Sequence, residues 1–265
     1  MRMSPENRAR LSGIKLLFAD IDNTLSDNGR ITEGAYASLW RARNGGVDVV
    51  PTTGRPAGWC DHIARMWPVR GVIGENGAFY FRMTQTSMEK VYACDQQTRN
   101  ANRKHLDSIC ADILAAVPGC AVASDQTYRE HDLAIDYCED VTPLAKQEVL
   151  RIVRIFEKHG ATAKVSSVHV NGWFGSFDKL TMAKQFALDV CGIDLETHRE
   201  EAAFIGDSPN DEPMFAYFPL SFGVANVATF LDEIISPPAF VTEQACGAGF
   251  SELIDTIMTV KDEES

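Results

Sequence analysis

The 265-residue chain is 45% hydrophobic and 23% charged, an ordinary globular composition that excludes a disordered or fibrous protein. Its formal net charge of −12 argues against a nucleic-acid partner or an anionic membrane surface, although a buried cation and a few basic side chains could still receive a phosphate. No apolar run approaches the roughly 20 residues of a membrane span, so no membrane partner is expected.

Residues 14–19 are a short apolar run, long enough for a buried strand and too short for a helix. The polar cluster DIDNTLSDNG follows. Thr32 then caps an apolar-periodic stretch to Asn44, closed by Gly45-Gly46, which predicts a helix. Residues 47–52 read as a second buried strand, followed by GRP and a helix over about 57–66. Residues 72–74 and 78–81 flank Glu75-Asn76-Gly77, and Asn-Gly between apolar runs is a strong hairpin signal. The order so far, β-α-β-α-β with a hairpin, opens a parallel α/β sheet.

The pattern then changes. A helix over 98–117 precedes two strand-like runs at 121–124 and 133–138, and a helix over 143–159 precedes two more at 162–165 and 168–174. Two α-β-β units favour an antiparallel sheet with helices on one face. From Lys179 the alternation resumes: a helix to Cys191, a strand at 202–205, a helix near 210–217, a strand at 220–224 and a last helix near 249–260. The expected architecture is a Rossmann-like α/β core made of residues 1–82 and 179–265, interrupted by an α+β domain over 83–178. The start, MRMSPENRARLSG, lacks the apolar stretch of a secretion signal. Seven cysteines (60, 94, 110, 120, 138, 191 and 246) are scattered with no CxxC pair, which suits reduced thiols in a cytoplasm.

The chemistry-bearing residues sit where core strands end, which is where ligands gather in an open parallel sheet. Asp20 and Asp22 leave the first strand, Thr52-Thr53-Gly54-Arg55 the second, and Asp207 with Asn210-Asp211 a later one, while Lys179 opens a helix. Carboxylates gathered at one edge would repel one another unless a hard, oxygen-seeking cation such as magnesium sat among them. Taken singly, each feature also reads as turn or capping chemistry. Their joint order at successive strand ends is what points to a site.

That ordered set resembles the haloacid dehalogenase superfamily, in its Cof-type branch with a large inserted cap. The family's first motif, DxDxT, appears as FADIDNTL with Asp20, Asp22 and Thr24, and Asn23 stands where many members have Gly, a place Asn tolerates. The second appears as VVPTTGRP with Thr53, the third as FDKLTMAK with Lys179, and the fourth as FIGDSPNDEPMF with Asp207, Asn210 and Asp211. The GENGAFY hairpin also looks like the family's. The cap matches by position and α-β-β pattern rather than by motif.

The resemblance implies a magnesium-dependent phosphatase acting on a small phosphorylated metabolite, such as a sugar phosphate, through an aspartyl-phosphate. Asp20 would be the nucleophile. The metal would be held by Asp20, the main-chain carbonyl of Asp22 and Asp207. Lys179, Thr53 and the Gly54 amide would stabilise the phosphoryl oxygens, with Arg55 and Asn210 also near the phosphate. Asp22 would protonate the leaving alcohol and then activate water, and Asp211 would support Lys179. In the cap, HVNGWFGSFDK runs into the third motif, so His169, Asn171 and Trp173, on one strand face, are candidates for substrate contact. The competing reading packs Trp173 in the cap core. Arg129 and His131 are lesser candidates. A sugar-phosphate mutase and a non-catalytic protein on the same fold remain as alternatives, the former distinguished by returning phosphate to its substrate and the latter by having no need of Asp20, Asp22, Lys179 and Asp207 together. The metabolite and the oligomeric state are left open.

Overall fold

A strand buried at every position must be covered on both faces, and Leu16–Ala19 (β1) is such a strand. In the computed structural model, which describes residue 1 and residues 3–264, β1 follows a short helix, Pro5–Ala9 (α1). A small antiparallel ribbon comes next, Ser26–Asp27 (β2) with Arg30–Ile31 (β3). The helix Glu33–Asn44 (α2) is capped by the Thr32 hydroxyl and leads to the strand Asp48–Pro51 (β4). After the helix Ala57–Met66 (α3), Val72–Gly74 (β5), Phe79–Met83 (β6) and Met88–Tyr92 (β7) form an antiparallel meander.

The long helix Gln96–Ala116 (α4) precedes Ala121–Val122 (β8) and Leu133–Asp136 (β9). The helix Lys146–Lys158 (α5) precedes Thr162–Val165 (β10) and His169–Trp173 (β11). These four strands pair antiparallel in the order β10-β11-β9-β8. Leu106, Ile109 and Ile113 of α4 and Val149, Ile152 and Phe156 of α5 bury against Leu133, Ile135 and Val170, giving this sheet its own core. The two α-β-β units expected from the sequence are therefore present.

The helix Lys179–Phe186 (α6), extended by a π turn over Ala187–Cys191, brings the chain back to Ala202–Gly206 (β12). Glu212–Tyr217 (α7), Ser221–Gly223 (β13), Phe240–Val241 (β14) and Cys246–Glu264 (α8) complete it. The main sheet runs β14-β13-β12-β1-β4, parallel throughout. Leu17 and Ala19 face one apolar cluster, with residues of α2, α3 and α8, while Leu16 and Phe18 face the other, with residues of α6 and α7. That alternation is the period-two consequence of a strand between two helical layers. The α/β core with an added antiparallel α+β unit is the architecture expected.

Several local features differ from expectation, among them α1, the β2–β3 ribbon and the edge strand β14, none of which was expected. β7, which was not expected, extends the meander past residue 82, and its Met88 and Tyr92 pack on the same cluster as α3. The Asn-Gly signal marks a 3-10 turn rather than a two-residue hairpin loop, with Glu75, Asn76 and Gly77 all at positive φ (43°, 55° and 101°). A Cβ on Gly77 would lie 2.0 Å from the Asp178 carbonyl, so glycine lets this turn pass against the start of α6.

Candidate active site

Asp20, Thr53 and Asp207 stand just beyond the carboxyl ends of β1, β4 and β12, and Lys179 is the first residue of α6. The parallel register that holds β1 between β4 and β12 therefore carries these side chains to one edge. Lys179 Nζ lies 2.7 Å from Asp20 Oδ1 and 2.7 Å from Asp211 Oδ1, all three side chains being buried. The other Asp211 oxygen accepts from the amides of Asp207 (3.0 Å) and Ser208 (3.3 Å), so a capping box fixes the residue that fixes the lysine. Oxygens of Asp20, Asp207 and Asp211 lie within 4.8 Å of one another.

Lys179 does not neutralise this group. Burial pushes the Asp20 carboxyl up to about 7 even though Lys179 opposes it, with the Asp211 and Asp22 charges adding to the rise. Asp207 is likewise raised well above the usual carboxylate range, by burial first and then by the Asp20 and Asp211 charges. Its polar contacts are the Thr24 hydroxyl at 3.5 Å and the Asn226 amide at 3.3 Å, with no ion pair among the described residues. A buried carboxylate without a cation, beside two more, is a donor set that fits a hard divalent ion. Asn23, at φ 56° in the loop between Asp22 and Thr24, gives its carbonyl to the same Asn226 amide (3.0 Å).

Asp22 faces elsewhere. Its carboxylate takes a bidentate grip from Arg55, Nη2 to Oδ1 at 2.8 Å and Nε to Oδ2 at 2.9 Å. The same guanidinium reaches Glu139 (2.5 Å) and Asp125 (3.4 Å), and lies 4.6 Å from the Trp59 ring centroid. Arg55 is thus committed to three carboxylates, two of them from the segment between β8 and α5. Glu139 Oε2 also lies 2.8 Å from His169 Nε2, and His169 together with Arg55 holds the Glu139 carboxyl down at about 2.

Gly54, Arg55, His169, Asn171 and Asn210 line one small cavity with Asp20 and Asp22. The structure brings these sequence candidates together. Thr53 is fully buried beside them, its hydroxyl accepting from the Arg55 amide at 3.0 Å. A Cβ on Gly54 would approach Asn76 Nδ2 to 3.2 Å and Asn171 Oδ1 to 3.5 Å. Asn76 is a residue that sequence reasoning read only as a turn. It is 3% exposed, accepts from Asn210 at 3.4 Å, and its Nδ2 has no partner among the described residues. Its positive φ was legible in the Asn-Gly pair; its side-chain role was not. Glu139, Asp125 and Asn226 likewise carry no sequence signal, because each lies outside the strands and α-helices that periodicity marks.

Trp173 is elsewhere. It is 2% exposed, stacked on Phe177 at 5.8 Å, and donates to the Phe177 carbonyl at 3.3 Å, within the main apolar cluster. His131 is also packed away, between Tyr92, Phe79 and Phe177, and burial lowers its pKa to about 3. Arg129 is a buried tie: it donates to the Gly54 carbonyl (2.8 Å) and pairs with Asp125 and Asp132 at 3.0 Å. Glu75 anchors the same loop, accepting from the amides of Ala57, Glu130, His131 and Asp132 at 2.6–3.2 Å. Asn171 donates to Asp132 at 2.8 Å.

The chain is similar to known proteins in sequence and in fold. A model of the haloacid dehalogenase-like hydrolases matches residues 17–132, which hold β1, the Asp20–Asp22 loop and the Thr53–Arg55 loop. The chain is 24% identical over 247 residues to a protein named phosphoglycolate phosphatase from Methanobrevibacter smithii, covering 91% of this chain and 97% of that one. A Thermoplasma acidophilum crystal structure superposes with a TM-score of 0.70 at 19% identity, over 92% of this chain and 98% of the other. The sucrose-phosphatase of Synechocystis, solved with sucrose and phosphate, superposes with a TM-score of 0.62 at 16% identity, over 91% and 97% of the two chains. Residues 17–132 thus resemble the haloacid dehalogenase-like hydrolases in sequence, and the whole chain shares its fold with these solved structures.

Proposed function

We propose that this protein is a hydrolase that cleaves phosphate monoesters of small metabolites, sugar phosphates or related compounds, through an aspartyl-phosphate on Asp20. The observation that carries the reading is the buried set Asp20–Lys179–Asp211 beside Asp207, with Asp22 and the Gly54 loop at its rim. A dianionic ester is repelled by a carboxylate nucleophile, so positive charge must meet it. Asp20 and Asp207, joined by the main-chain carbonyl of Asp22, would hold magnesium, which when bound offsets charge on the nucleophile and the phosphoryl oxygens.

Lys179 holds Asp20 by one oxygen and leaves the other for attack on phosphorus. Bond formation from Asp20 and cleavage of the ester bond place the phosphoryl group on the carboxylate and the electron pair on the leaving oxygen. The Gly54 amide, Thr53, Asn76 and Asn210 would donate to the phosphoryl oxygens. Asp22 would give the leaving oxygen its proton, then take one from the water that hydrolyses the acyl phosphate. For Asp22 to act, Arg55 must share or release it, and Arg55 is also held by Glu139 and Asp125. Residues 83–178 would then act as the substrate-selecting cap. The cavity they help close, at about 10 Å³, holds at most one bound water, so entry of substrate would require this contact to open.

The test is a panel of phosphorylated metabolites assayed for phosphate release with magnesium and with excess chelator. Release from at least one ester, lost with chelator and restored by magnesium, is expected. No release from any ester, or full activity in chelator, would overturn the reading.

A further inference from the structure

Asp22 borders two spaces. One is the nearly filled catalytic cavity; the other is a cleft of about 520 Å³ between the β2–β3 ribbon, α3 and the segment around Tyr128. That volume is typical of a small-molecule site. Its walls are Ile21, Ile31, Trp59, Ile63, Trp67 and Tyr128, and its polar groups include Asp22, Ser26 and His62. Trp59 and Tyr128 are 41% and 58% exposed, large aromatic side chains partly open to solvent. Trp59 is held beside the Arg55 guanidinium, whose other contacts include Asp22, so one aromatic wall and the Asp22 carboxylate are fixed to the same group.

A general acid must reach the leaving oxygen, so whatever is bonded to that oxygen must lie in a space bordering Asp22. The catalytic cavity has no room for it. The cleft has, and among the described residues no Lys or Arg lines it. A carboxylated two-carbon leaving group would find no lysine or arginine among the described lining residues, whereas a ring would find aromatic and aliphatic walls. We propose that this cleft is the leaving-group site and that the substrate is a phosphate monoester bearing an aromatic ring close to its phosphate. The assignment rests on Asp22 as the acid in the reading above.

The test compares 2-phenylethyl phosphate with ethyl phosphate and phosphoglycolate. The first two release similar primary alcohols, so their difference reports the ring and not leaving-group chemistry. The expected kcat/KM ratio of phenylethyl to ethyl ester is about 10–100, the scale of burying one aromatic side chain. Tyr128→Ala and Trp59→Ala should each bring that ratio toward one, and Trp59→Phe should retain most of it. Because Trp59 supports Arg55, Tyr128→Ala, at an exposed position, is the variant that separates binding from folding. In Asp20→Asn protein, calorimetry should show tighter binding of the phenylethyl ester by a similar factor. A ratio near one with the ethyl ester hydrolysed, a ratio unmoved by Tyr128→Ala, or phosphoglycolate as the fastest of the three would overturn the cleft assignment alone. Release from none of these esters and from no metabolite of the panel would remove the phosphatase reading itself.

Discussion

Lys179→Met removes the one ammonium that stands between two buried carboxylates. In the wild-type chain Nζ is 2.7 Å from both Asp20 and Asp211, whose side chains are 6% and 0% exposed, and Asp207 lies within the same cluster. Breaking a buried pair by deleting one partner typically costs about 3–5 kcal/mol, because the remaining charge is left uncompensated. At roughly 2–4 °C per kcal/mol for a protein of this size, the metal-free variant should melt about 6–20 °C lower. The cost depends on pH. Asp20 already titrates at about 7 in the folded chain, above its unfolded value of 3.8. A raised carboxyl pKa means the native state holds more protons than the unfolded one, so stability contributed by protonation is present below about 4 and lost as pH rises to about 7. Without Lys179 the folded pKa rises further, and the gap between variant and wild type should widen from pH 6 to pH 8. Thermal melts followed by circular dichroism, in chelator at both pH values, measure this. A change below about 2 °C at pH 8, or a gap that narrows with pH, would refute carboxylate repulsion as the thing Lys179 controls.

Three further outcomes follow from the same contacts. Asp22→Ala should slow attack on alkyl phosphates by roughly 10²–10⁴-fold but spare an aryl phosphate such as the nitrophenyl ester, and stopped-flow should show a burst of nitrophenol as the phosphoenzyme accumulates. Glu75→Gln keeps one acceptor oxygen where four amides now bond a carboxylate, leaving buried N–H groups unpaired at about 1–3 kcal/mol each. Hydrogen exchange at Glu130, His131 and Asp132 should accelerate, with the amides of β12 unchanged. Asp207→Asn should raise the magnesium concentration needed for half-maximal turnover at least tenfold, read from activity against free magnesium.

Much of the core was legible because its signals are local. Residues 16–19 and 202–206 are short apolar runs ending in aspartate, and α3 is bounded as its periodicity predicts, at Ala57–Met66. The α-β-β pairs were visible for the same reason. β7 was missed because its residues are only partly buried, so Met-Glu-Lys-Val-Tyr shows no clean alternation. At the site, spacing alone places aspartates at strand ends but says nothing of where a side chain turns. Arg55 was expected beside the phosphate, and its three carboxylate partners come from residues 33–84 positions away. Trp173 shares its face of β11 with His169 and Asn171, yet its ring lies in the apolar cluster, stacked on Phe177.

The central claim is that Asp20 becomes phosphorylated, and borohydride trapping tests it most directly. Asp22→Asn protein would be mixed with magnesium and nitrophenyl phosphate, quenched, reduced and peptide-mapped; reduction of an acyl phosphate converts that aspartate to homoserine. Homoserine at position 20, absent in chelator and in Asp20→Asn, is the expected result. Continued nitrophenol release with position 20 recovered only as aspartate would contradict it.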